Sequence, residues 1–166
     1  MSRSSTLRAA TGIATFAGLV AGAAAIGTVI TAKQKKSLWY RLLSKPSFQP
    51  PDSVFGPVWT VLYGLTAVSG YRIYRSHAET KTTALALWGT QLGLNTAWTY
   101  LFFGKHRPKA AMVDLGLLFL TVSAYAQQAR QIDRPAAWMM APYLAWLGYA
   151  GALNAETIRE NRFLSA

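Results

Sequence analysis

"TTALALWGTQLGLNTAWTYLFFG", residues 82–104, runs for 23 residues without a charge. A helix needs about 20 predominantly apolar residues to cross the hydrocarbon core of a bilayer, so this stretch has spanning length. Ala9–Ala32, Ser53–Tyr71 and Pro135–Ala155 are also uncharged, over 24, 19 and 21 residues, and Ala110–Ala129 holds only Asp114. Thr, Ser, Gln, Asn, Gly, Trp and Tyr dilute the apolar content of several of these runs. A soluble bundle of such helices would nevertheless show a charged face at helical spacing, and none of the five does. The expected fold class is therefore all-α, an integral membrane bundle of five transmembrane helices in a single domain over 1–166. Its spans lie at about 9–32, 53–75, 82–104, 109–129 and 135–157, with a loop over 33–52.

The charge pattern agrees with this reading. Seventeen Lys and Arg against six Asp and Glu leave a net charge of +11, a balance that on its own suits a nucleic-acid binder. The basic residues, however, are confined to the segments between the uncharged runs, as flanking anchors at a lipid bilayer are, so nucleic acid is not the expected partner. Arg3 and Arg8 ahead of an apolar run also fit a cleaved signal peptide, but the run is much longer than the usual h-region, which favours retention. More Lys and Arg fall on the side of the 33–52 loop and the C-terminus, which places that side in the cytosol. The chain contains no cysteine, which removes disulfides, thiolate catalysis and sulfur-ligated metals.

The connector ahead of the second span is rich in rings and prolines where an ordinary loop uses Gly and Asn. Pro46, Pro50 and Pro51 each fix φ and push the preceding residue toward extended geometry, so Ser44–Asp52 is expected to be a stiff, non-helical cover. Asp52 or Ser53 is placed to cap the following helix, with Pro57 in its first turns. Phe55, Trp59 and Tyr63 then recur every four residues as one aromatic stripe, and Trp39 and Tyr40 stand at the other end of the cover. In the third span Gln91, Asn95, Trp98 and Phe102 share a face. Amides in hydrocarbon need partners, so Gln91 and Asn95 face either interhelical hydrogen bonds or a ligand cavity. In the fifth span Tyr143, Ala150 and Asn154 share a stripe with Trp146 beside it, and Pro142 loosens the backbone. Three helices that each offer a ring beside a small or amide residue describe a largely apolar small-molecule pocket, or equally a close-packed aromatic core.

Several of these segments, in this order, resemble the translocator protein family, the tryptophan-rich sensory proteins. The resemblance runs from about Trp39 to Asn161 and is carried by "WY" at 39–40, "KP" at 45–46, "PP" at 50–51 and "FGPVWTVLY" at 55–63. Further on it continues with "QLGLNTAWTYLFFG" at 91–104, "VDLGLL" at 113–118 and "APYLAWLGYAGALN" at 141–154. It implies a five-helix membrane bundle whose pocket opens toward the first long loop, with that loop as a lid. It also implies porphyrin and haem-related tetrapyrrole ligands, with no cofactor required. The ligand-binding set implied by matching positions and by the shared stripes is Trp39, Tyr40, Pro46, Phe55, Trp59, Tyr63, Gln91, Asn95, Trp98, Trp146, Ala150 and Asn154. A homodimer is implied as well, through the third helix, where Gly89 and Gly93 form a GxxxG pair, and so is a bacterial membrane. Animal members carry an aromatic after "LN" in a cholesterol-recognition segment, whereas this chain reads "LNAETIREN", leaving cholesterol a doubtful ligand.

The chemistry expected follows from composition. A tetrapyrrole is a wide aromatic plane with carboxylate arms, suited to stacked rings inside and to Lys45 and Arg41 at the mouth. The only histidines, His77 and His106, fall in connectors, so axial ligation of a haem iron is not expected, nor is any metal site. No Ser, His and Asp set and no phosphate-cradling glycine loop is present, so conventional catalysis has no candidate. Light-dependent porphyrin breakdown, which the resemblance brings in with the tryptophans as electron donors, and ligand transport stand as alternatives. Asp114, the only ionisable residue inside the runs, is read as either structural or functional.

Overall fold

The structure is a computed structural model and describes residues 3–34 and 36–162. Lys35, in the 33–52 loop, and the ends of the 1–166 domain lie outside the described residues. The regular elements among the described residues are all helices: α1 (Arg3–Gln34), α2 (Leu38–Leu42), α3 (Asp52–Tyr74), α4 (Lys81–Thr99), α5 (Pro108–Ile132), α6 (Arg134–Trp138) and α7 (Ala141–Glu160). A π-helical turn, Tyr100–Gly104, extends α4. Within α1, the stretch from Ala10 and, as a whole, α5 are long and apolar enough to cross a membrane by composition alone.

Proline decides several boundaries. α3 begins straight after Pro50 and Pro51, with Pro51 at the N-cap and no side-chain cap bond. The expected capping by Asp52 or Ser53 is therefore not what the fold uses; Asp52 is the first helical residue, where its charge favours the helix dipole. α5 likewise carries Pro108 in its first turn. The expected span 135–157 is in fact two helices. Pro135 and Pro142 sit in the first turns of α6 and α7, and Pro142, with no N–H to donate and a ring that crowds the carbonyl four residues back, ends α6 at Trp138, so the chain turns at Met139 and Met140. Pro142 starts a helix here; it does not loosen the middle of one. The cover is also not wholly extended, because α2 forms within the 33–52 loop, N-capped by the Ser37 hydroxyl, which accepts from the Tyr40 N–H at 3.3 Å.

α5 packs along both α4 and α7, and α1 lies across α3 and α4. The end of the bundle far from α2 is solid. Tyr125 donates its hydroxyl to Ser69 Oγ at 2.7 Å, and Ser69 passes a hydrogen bond to the Ala136 carbonyl at 2.8 Å, tying α3, α5 and α6 together. Trp88 Nε1 donates to the Thr66 carbonyl at 2.9 Å, its ring lying over Gly70, where a Cβ would sit 2.5 Å from it. Arg72 forks onto Asp133, with a closest approach of 2.9 Å, and Asp133 in turn caps α6 through the Ala136 N–H. The other end of the bundle is hollow.

Candidate functional site

A cavity of about 590 Å³ lies between α1, α3, α4, α5 and α7 under the 40–52 segment, within the range usual for small-molecule sites. The helical repeat of four on α3 aims Phe55, Trp59 and Tyr63 into it, and α4 adds Asn95 and Trp98. α7 contributes Trp146, Ala150 and Asn154, and the roof contributes Tyr40. The rings meet mostly edge to face, an arrangement that lets each ring's positive rim meet a neighbour's negative face. Trp59 stands at 84° to Trp146 and at 72° to Tyr143, with centroids 6.3 and 6.0 Å apart, and Phe55 meets Trp146 at 5.7 Å. Trp98 stacks on Phe102 at 5.3 Å. The π turn widens the helix where Phe102 and Phe103 follow one another, and both reach the cavity wall.

At the inner end, Tyr63 donates its hydroxyl to Asn95 Oδ1 at 3.3 Å, and Asn95 Nδ2 donates to the Tyr143 hydroxyl at 2.8 Å. Asn95 thus joins α3, α4 and α7 while also lining the cavity. Asn154 is 2% exposed and hydrogen-bonds the Pro108 carbonyl at 3.3 Å, anchoring α7 to α5.

Three residues of the expected set lie outside the cavity wall. Gln91 is one turn beyond the Asn95 bridge, only 1% exposed, with neither amide atom hydrogen-bonded. Trp39 is turned about 100° from Tyr40 around α2 and stacks instead on His106, centroids 4.3 Å apart, with the Phe102 ring centroid 5.9 Å away at a steep angle. Pro46 is buried in the cover, behind the residues that face the cavity. Of the two expected mouth cations, Lys45 borders the cavity, its Nζ 4.5 Å from the Tyr40 ring centroid, and Arg41 does not.

Other contributors left no mark that spacing reveals. Ala24, Gly27, Thr28 and Thr31 of α1 line one side, yet none carries a ring or an amide. The cover is fastened at three points. Asn161 accepts from the Ser44 N–H and donates to the Ser44 carbonyl, both at 2.8 Å, across 117 residues of chain. Tyr149 donates its hydroxyl to the Phe48 carbonyl at 2.7 Å. His106, held at φ 55°, completes the Trp39 stack and hydrogen-bonds Gln34 Oε1 at 3.2 Å. Burial, and after it the negative charge of Asp52, push the Tyr40 phenol above its ordinary range.

A family model, the TspO/MBR family, matches residues 15–159. Translocator protein of Bos taurus is 37% identical over 127 residues, covering 75% of each chain. Protein CrtK of Rhodobacter capsulatus is 38% identical over 125 residues, 74% of this chain and 78% of that one. Tryptophan-rich protein TspO of the archaeon Archaeoglobus fulgidus is 37% identical over 128 residues, 77% of this chain and 82% of its own. With most of its length matched and its long helices gathered round an aromatic cavity, this chain belongs to the TspO/MBR family of integral membrane helical bundles.

Proposed function

We propose that the protein binds porphyrins, protoporphyrin IX and related tetrapyrroles, in the cavity beneath the 40–52 segment, which serves as a lid. The observation that carries this reading is the wall of Trp59, Trp98 and Trp146 with Phe55 and Phe102, an apolar ring-lined space with few polar groups. A flat π-system fits between such rings, and its carboxylate arms reach the mouth, where Lys45 stands and the Tyr40 hydroxyl is neutral. Binding needs no further cofactor. The chain is multi-pass, sits in a bacterial membrane, and pairs as a homodimer through α4. In support of pairing, Gly89 and Gly93 are exposed on that helix and have open space where a side chain would project. Light scattering of detergent-solubilised protein reads the dimer; a monomer at every concentration sinks it.

The central test is quenching of tryptophan fluorescence by protoporphyrin IX in the dark, with Trp59→Ala and Trp146→Ala checked for folding. Saturable binding weakened tenfold or more in either folded variant supports the aromatic site, and non-saturable partitioning in the unaltered protein rejects it. The three tryptophans in the wall also favour a second reading, light-dependent porphyrin breakdown with the indoles as electron donors. Illumination of the same saturated sample separates the two: loss of the porphyrin absorption band faster than in protein-free detergent marks a degrader.

A further inference from the structure

α1 does not keep one neighbour along its length. In its first half Gly12 lies against α3, where a Cβ would meet the Tyr71 ring at 2.6 Å, and Phe16 packs on Tyr71 and Trp88 with centroids 6.4 and 4.8 Å away. In its second half Gly27 faces Thr99 of α4, whose Oγ1 is 3.6 Å from the place of a Cβ. Trp88 belongs to α4, so the first half of α1 packs on both α3 and α4, while Gly27 in the second half meets α4 at the level of the residues that line the cavity. Ala24, Thr28 and Thr31 border it from α1, and Gly56 and Thr60 from α3. Thr28, Gly56 and Thr60 are also exposed, so the cavity wall is accessible at these positions of α1 and α3.

The chemistry of the opening suits hydrocarbon. Thr28 donates its hydroxyl to the Ala24 carbonyl at 2.8 Å and Thr60 to the Gly56 carbonyl at 2.9 Å, each within its own helix. Neither hydroxyl bridges the gap or is left for lipid to solvate, so methyl groups and the bare Gly56 backbone form its rim. A Cβ at Gly56 would meet nothing within 4 Å. The aqueous end differs, since Asn161, Tyr149 and His106 fasten the lid there. We infer that the slit between α1 and α3 is a lateral portal, through which a flat, apolar ligand dissolved in the bilayer reaches the cavity while the lid stays fastened. The inference rests on the cavity being a ligand site, and it adds that the ligand is one that partitions into lipid before it binds.

The absence of cysteine makes a direct test available. A single Ala150→Cys variant places a thiol on the cavity wall, and in liposomes its rate of reaction is followed with pyrene maleimide, which dissolves in the bilayer, and with a charged, water-soluble maleimide. Gly56→Trp and, in a separate protein, Thr60→Trp fill the slit, and Asn161→Ala loosens the lid. Circular dichroism and thermal melting confirm folding, and if one filling variant does not fold the other carries the test. A portal predicts labelling by pyrene maleimide that slows tenfold or more when the slit is filled and changes less than twofold when the lid is loosened. The inference is overturned if the bilayer-dissolved reagent does not label the thiol, if filling the slit leaves the rate unchanged, or if only Asn161→Ala changes it. Because the reagent is not a tetrapyrrole, slit-dependent labelling without saturable protoporphyrin binding would keep the portal and discard the tetrapyrrole reading.

Discussion

At one end of α3, Gly70 has the Trp88 indole 2.5 Å from where its Cβ would be; at the other end of the same helix, Gly56 has nothing within 4 Å. One glycine lets rings close onto backbone, and the other leaves a wall thin. The solid end spends its polar groups joining helices, through Tyr125, Ser69 and the Ala136 carbonyl, and through Arg72 and Asp133. The hollow end turns Thr28 and Thr60 back on their own helices and sets its rings edge to face around the cavity. Membrane helices gain little from burying apolar surface against one another, so close packing and satisfied hydrogen bonds hold the solid end together. That firmness lets the other end keep its hollow without collapsing.

The largest expected effect tests this contrast within α3. Gly70→Ala forces the Trp88 ring off its bond to Thr66, and overpacking of this kind costs about 3 kcal/mol. Gly56→Ala meets open space and replaces a poor helix former, so it should be neutral or stabilise by up to about 1 kcal/mol. Melting in detergent reads both; equal losses in the two variants would erase the distinction between the ends.

A middle-sized effect concerns the lid. Asn161→Ala removes both bonds to Ser44, about 1–2 kcal/mol of local stability, and should speed hydrogen exchange at residues 44–49 several-fold with little change in melting temperature. Protection that stays unchanged there would mean that the fastening lies elsewhere.

The smallest effect is alkaline. The Tyr40 phenol is raised above its ordinary value of about 10, so the stability it contributes is complete below about pH 10 and is lost as the pH climbs through the higher folded-state value. Exchange in the lid should rise in that window, and Tyr40→Phe should flatten the rise. An identical alkaline response in the variant would assign it to another group.

Much of this was legible in the chain, and the parts that were not share a cause. The uncharged runs marked the long helices because bilayer thickness sets a minimum length. The Phe55, Trp59 and Tyr63 stripe faces the cavity because spacing of four keeps side chains on one face of a helix. Trp39 looked like part of the same wall, but α2, too short to show a period, turned it toward His106. Gln91 shares a face with Asn95, yet the bridge to Tyr143 closes the cavity between them. The wall from α1 is built of Ala, Gly and Thr, whose value is the room they leave, and absent volume has no signature in composition. The split at Met139 and Met140 was visible in Pro142 but was masked by the lack of charge around it.

The bond from Ser44 to Asn161 also orders events in time. A ribosome makes the cover well before its fastener, which follows 117 residues later at the end of α7. Until α7 has emerged and packed, of these fastenings only the Trp39 stack on His106 holds the roof, and the ring-lined space beneath it lies open on the α7 side. During biogenesis the growing chain therefore passes through a stage in which its ring-lined interior is covered only in part.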